Sequence, residues 1–69
     1  MEKKISWMVA CVSEFARSHA VSVKTAFQFL FRYGGIQFLE EYYEAEHLLS
    51  FEDTMEDLIR VCENSGGVL

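Results

Sequence analysis

Sixty-nine residues leave room for one small domain, and a chain that is 51% hydrophobic is too apolar to be disordered. Six Lys and Arg stand against eleven Asp and Glu, a formal charge of −5, which argues against a nucleic-acid binder with its normally basic surface. Proline is absent and glycine occurs four times, which suits a mostly helical chain with few turns.

The first helix is expected over about residues 3–18. Ile5, Met8, Val12, Phe15 and His19 follow the 3–4 spacing of one helix face, with Val9 and Ala16 widening the stripe and Trp7 and Cys11 at its edge. His19 falls where this helix ends, in reach of the terminal carbonyls, although His19-Ala20-Val21 contains no strong stopper. Ser22 then reads as the N-cap of a second helix over 23–33, because its hydroxyl can accept from a first-turn N–H. Val23, Ala26, Phe27, Leu30 and Phe31 repeat at helical spacing, and Phe29 and Tyr33 add a second apolar edge. Arg32 complements the dipole in the last turn, and Gly34-Gly35 supplies the left-handed residue that ends such a helix.

A third helix is expected over 36–44, with Ile36, Leu39 and Tyr43 on one face and Phe38 and Tyr42 on the next, while Glu40, Glu41 and Glu44 face water. Continuation through Ala45 to Leu49 stays open. Ser50 is a second N-cap, followed by Glu52 and Asp53 in the first turn and by Phe51, Met55, Leu58, Ile59 and Cys62 on one face of a fourth helix over 51–63. Asn64-Ser65-Gly66-Gly67 stops it, and residues 64–69 form a tail that ends loosely at Val68-Leu69. The fold class that results is all-α: residues 1–69 as a single compact bundle of three to four short helices. Phe15, Phe27, Leu30, Leu39, Leu58 and Ile59 are the expected core.

Two cysteines, Cys11 and Cys62, are too few for a disulfide scaffold and lie within apolar helical patterns, where a free Cys acts as a small buried hydrophobe. The start Met1-Glu2-Lys3-Lys4 resembles a signal-peptide n-region, but Ser13-Glu14 interrupts the short apolar run behind it. No run approaches the ~18–20 apolar residues that span a bilayer. The expectation is a cytoplasmic protein with no membrane association.

Few residues offer chemistry. Glu40, Glu44 and His47 fall at i, i+4 and i+7, and Glu44-x-x-His47 has the spacing of carboxylate-bridged metal bundles, but the second such motif those sites need is missing. There is no GxSxG, Walker loop or GxGxxG, and Gly34-Gly35 is helix punctuation with no Lys-Ser/Thr behind it. A drug-sized pocket is hard to enclose with so few residues. No enzyme, cofactor, metal or small-molecule substrate is expected, and no catalytic residue is assigned. A helix-turn-helix over Arg17 to Tyr33 would offer DNA only Lys24, Gln28 and Arg32 among aromatic neighbours.

Association is the stronger signal. Ten aromatics exceed what one small core absorbs, and the second and third helices carry them on two faces each. Charge is also split: residues 1–34 carry a net +3 and residues 35–69 a net −8. Such a split can steer a partner or pair two copies. We therefore expect a homodimer or a tight complex with another protein, using some of Trp7, Phe29, Phe38, Tyr42 and Tyr43.

The helix from Trp7 to Phe15, Ser22-x-Lys24, Tyr33-Gly34, Ile36-x-Phe38-Leu39, Tyr42-Tyr43, His47 and Glu56-Asp57-Leu58-Ile59 follow one another in an order that resembles an uncharacterised bacterial domain-of-unknown-function family. The resemblance covers nearly the whole chain and rests mainly on apolar and aromatic positions. Gly35 and Leu48-Leu49 depart from it. It implies a short all-helical protein with no assigned activity, often encoded beside a predicted ADP-ribosyltransferase-like toxin, and hence an antitoxin or accessory-subunit role. It carries over no catalytic residue. The functional expectation is a protein–protein interaction module whose partner is itself or a protein encoded nearby. The alternative is a small nucleic-acid-binding regulator using the basic N-terminal half.

Overall fold

The computed structural model describes residues 2–68, with Leu69 of the expected tail outside them. Five helices follow in order: α1 (Glu2–Ser18), α2 (Val23–Arg32), α3 (Gly35–Glu41), α4 (Tyr43–Glu46) and α5 (Phe51–Asn64). No strand occurs among the described residues. The all-α fold expected from the periodicity is the fold observed.

The helix starts are set by the two serines. Ser22 and Ser50 hold extended backbone, and each hydroxyl oxygen accepts from the N–H three residues on, Thr25 at 3.1 Å and Asp53 at 3.2 Å. Each cap satisfies one of the first-turn donors that have no carbonyl partner inside the helix.

The ends of α1 and α5 use one hydrogen-bond motif with two different residues at its left-handed position. After α5, Gly66 has φ +90°, its N–H donates to the Glu63 carbonyl at 2.9 Å, and Gly67 N–H donates to Cys62 at 2.8 Å. After α1, the corresponding residue is Ala20 at φ +56°, with Val21 N–H donating to the Ala16 carbonyl at 3.0 Å. A left-handed residue at this point satisfies carbonyls of the last turn, normally with glycine because a Cβ is strained there. α1 therefore stops without a recognisable stop residue. His19 supports the stop as expected, with Nδ1 3.0 Å from the Phe15 carbonyl and its ring stacked on Phe15.

Gly34, at φ +84°, turns α2 directly into α3. The next residue, Gly35, is buried because helices converge on it: a Cβ there would stand 2.8 Å from Leu30 Cδ2 and 3.3 Å from Cys62 Sγ. The third helix is shorter than the pattern indicates. It leaves helical geometry at Tyr42 (φ −107°, ψ 22°), and the chain resumes as the single turn α4. The redirected turn carries Tyr43 against Trp7 and places Glu46 in the interior.

The core is built from Cys11, Phe15 and Ala16 of α1, Ala26 and Leu30 of α2, Leu39 of α3, and Leu58 and Cys62 of α5. Four of the six expected core residues, Phe15, Leu30, Leu39 and Leu58, are fully buried, while Ile59 is partly buried against them. Phe27 is a correction, since 45% of it is exposed. Ala26 and Leu30 define the face that α2 turns inward, and position 27 lies about 100° round the helix from position 26. On α1, Cys11, expected at the edge of the stripe, is fully buried, and Ile5, expected within it, is exposed.

Candidate functional site

The five aromatics expected at a contact do not form one exposed face. Trp7 is half-buried and meets Tyr43 edge-to-face, with ring centres 5.4 Å apart. Phe29 packs with a different set, Phe15 at 5.8 Å and Tyr33 at 4.9 Å. Phe38 packs on the core and against Tyr42, and of the five only Tyr42 is more than half exposed, at 52%. Pairing within the chain accounts for most of this aromatic surface.

The uncovered apolar surface lies elsewhere. Ile5, Met8, Val9 and Val12 of α1, Val23, Lys24, Phe27 and Gln28 of α2, and Ile36 of α3 line a groove of about 640 Å³. Ile5, Val9, Val23 and Phe27 are each between 45% and 58% exposed. Phe31, one turn beyond Phe27 and in edge-to-face contact with it, extends the apolar row along α2. Spacings of four along α1 (5, 9) and α2 (23, 27, 31) make these residues neighbours on the outer face of each helix. Among the described residues Lys24 is the one charged side chain in the lining, and none of them contributes a carboxylate to it. The periodicity places Ile5 and Val9 on the apolar stripe of the first helix and Val23, Phe27 and Phe31 on that of the second, with Phe27 expected in the core, whereas the structure leaves all five exposed. The signal for this is the breadth of apolar positions on α2, which run 23, 26, 27, 29, 30 and 31, with Tyr33 at its C-cap, and exceed what one contact face can cover.

The polar interior is concentrated at Glu46. This side chain is 93% buried, and its Oε1 has no hydrogen-bond partner among the described residues. Burial chiefly, then the Asp57 carboxylate and the charge of Asp53, push its carboxyl up to about 7, with the Thr54 hydroxyl working in the opposite sense. Thr54 also donates to the Glu46 backbone carbonyl at 3.3 Å, which ties α4 to α5. At neutral pH this carboxyl is shared between its neutral and charged forms.

The remaining candidates are occupied structurally. The break at Tyr42 puts Glu40 on α3 and Glu44 on α4, so Glu40, Glu44 and His47 do not share one helix. His47 Nδ1 is 2.6 Å from the Tyr43 carbonyl and its ring stacks on Tyr43, the same arrangement His19 makes with Phe15. No group of three or more His, Cys, Asp or Glu among the described residues could hold a metal ion. Both cysteines are free and buried. Burial, with a smaller contribution from Glu46, pushes the Cys11 thiol up to about 12, and burial raises Cys62. Neither thiol forms the reactive thiolate at physiological pH. No described helix is long and apolar enough to cross a membrane.

Comparison with known proteins finds no match among curated proteins and none among solved structures. A family model does match, over residues 6–65, and its description is "Protein of unknown function (DUF3791)". The chain belongs to this family.

Proposed function

We propose that this member of an uncharacterised family is a non-catalytic protein–protein interaction module, and that its partner docks in the α1–α2 groove. The observation that carries the reading is the uncovered row of Ile5, Val9, Val23, Phe27 and Phe31 on a chain with little apolar surface to spare. A folded chain of this size already buries only about 60% of its unfolded surface. Each large side chain removed from water adds ~1.5–3 kcal/mol, so covering the row changes the stability of the assembly appreciably. The finer reading is an accessory subunit of antitoxin type, acting in the bacterial cytoplasm on a toxin-like enzyme encoded nearby. Two free buried thiols suit a reducing compartment.

Co-expression of the chain with the product of the adjacent gene tests this reading. Wild type co-purifies, and Phe27→Glu, which puts a charge on an exposed position, loses the partner while melting like wild type. Co-purification that survives Phe27→Glu contradicts docking in the groove. A gel shift at low salt addresses the nucleic-acid alternative, and a retarded complex that Lys24→Glu abolishes would favour it.

A further inference from the structure

We propose that the occupant of the groove is an amphipathic α-helix with acidic flanks, contributed by another protein; this rests on the docking reading above. The groove is open to solvent and walled by two helices, so a small ligand would be covered on one side only, whereas efficient ligand pockets bury 70–90% of the ligand. Its length suits a helix. The α2 row from Val23 to Phe31 runs about 12 Å at 1.5 Å per residue, enough to meet two turns of a third helix carrying apolar anchors at i, i+3 or i+4, and i+7.

Charge selects the flanks. Lys24 stands exposed on the groove wall with no carboxylate beside it among the described lining residues. Of the other cations of the N-terminal half, Lys4 and Arg32 lie over the rings of Tyr43 and Tyr33 and Arg17 is paired with Glu14, so Lys24 sets the charge of the described lining. An acidic flank on the incoming helix is therefore attracted and a basic one repelled.

The same charges disfavour a second copy. Groove-to-groove pairing would bring two Lys24 side chains into one apolar interface with no carboxylate from the described lining to offset them. The chain's own acid-flanked helix, α5, offers only Phe51 at its first residue, because Met55, Leu58 and Cys62 further along it are buried in its own core.

Two fluorescein-labelled helical peptides of about five turns, both with leucines at alternating three- and four-residue spacing, provide the probes. One carries glutamates on its flanks and the other lysines, and binding to the full chain is followed by anisotropy at low salt. The glutamate peptide is expected to bind at least ~10-fold tighter, Lys24→Glu to remove or invert that preference, and Phe27→Glu to abolish binding while the helical melt is retained. Equal affinity for the two peptides, or binding untouched by Phe27→Glu, overturns the proposal. Light scattering that gives a two-chain mass at tens of micromolar, reduced to one chain by Phe27→Glu, assigns the groove to a second copy and also overturns it. If neither peptide binds but the neighbouring protein co-purifies in a Phe27-dependent way, the acidic-helix occupant is wrong and the docking reading stands.

Discussion

The two faces of the α1–α2 pair have similar composition and opposite fates. The inner face, Cys11, Phe15, Ala26 and Leu30, is covered by α3 and α5 and is fully buried. The outer face, Ile5, Val9, Val23, Phe27 and Phe31, is just as apolar and lies open. Hydropathy alone does not separate them. Helix rotation does: α2 turns Ala26 and Leu30 inward, which leaves Phe27 outside.

The largest expected effect tests that contrast directly. Leu30→Ala removes a fully buried side chain and should cost ~2–5 kcal/mol, which by urea denaturation leaves the chain largely unfolded, while Phe27→Ala should stay within about 1 kcal/mol of wild type. Comparable losses at the two positions would erase the distinction between the faces.

Charge gives a second contrast, between Lys24 in the open groove and Glu46 in the interior. Glu46 titrates near 7 in the folded chain against its usual 4.5, so the folded state binds more protons between these values. Its contribution to stability is therefore present at low pH and is lost as pH rises from about 4.5 to about 7. The groups around it, Asp53, Asp57 and Thr54 on α5 and Cys11 on α1, supply no cation to offset the charge. Glu46→Gln escapes this loss, so its advantage over wild type should grow as pH rises across that window. Urea midpoints of both chains at pH 5 and pH 8 measure it, and an advantage that does not change with pH would contradict the assignment.

Smaller effects sharpen the account of the helix ends that orient both faces. Ser22→Ala and Ser50→Ala should each cost ~1 kcal/mol. Ala20→Gly should stabilise by ~0.5–1 kcal/mol, because the left-handed position that ends α1 is strained for alanine. A destabilised Ala20→Gly in thermal melts would mean that the bend between α1 and α2 is held by something other than that conformation.

How far these features were legible in the sequence depends on their range. Ser22, Ser50 and Gly34 act through bonds within a few residues, and each marks the helix boundary that its chemistry implies. The end of α1 was obscure because Ala20 does what glycine does elsewhere in the chain. The break at Tyr42 has no local marker, and it follows from the tertiary contacts of Tyr43 with Trp7 and of Glu46 with Thr54. The candidate site was hidden for a related reason. Periodicity identifies an apolar arc, but the covered part of that arc depends on the packing of all the helices, so it does not tell Phe27, which is open, from Leu30, which is buried.

The central claim is that the outer α1–α2 face, rather than the other exposed apolar stretch at Leu48, Leu49 and Phe51, receives the partner. Methyl-selective NMR of the labelled chain, titrated with the glutamate-flanked peptide, measures this in one experiment. Shift changes are expected to concentrate at the methyls of Ile5, Val9, Val12 and Val23, with Leu48 and Leu49 still. Changes centred on Leu48 and Leu49, with the groove methyls unmoved, would contradict it.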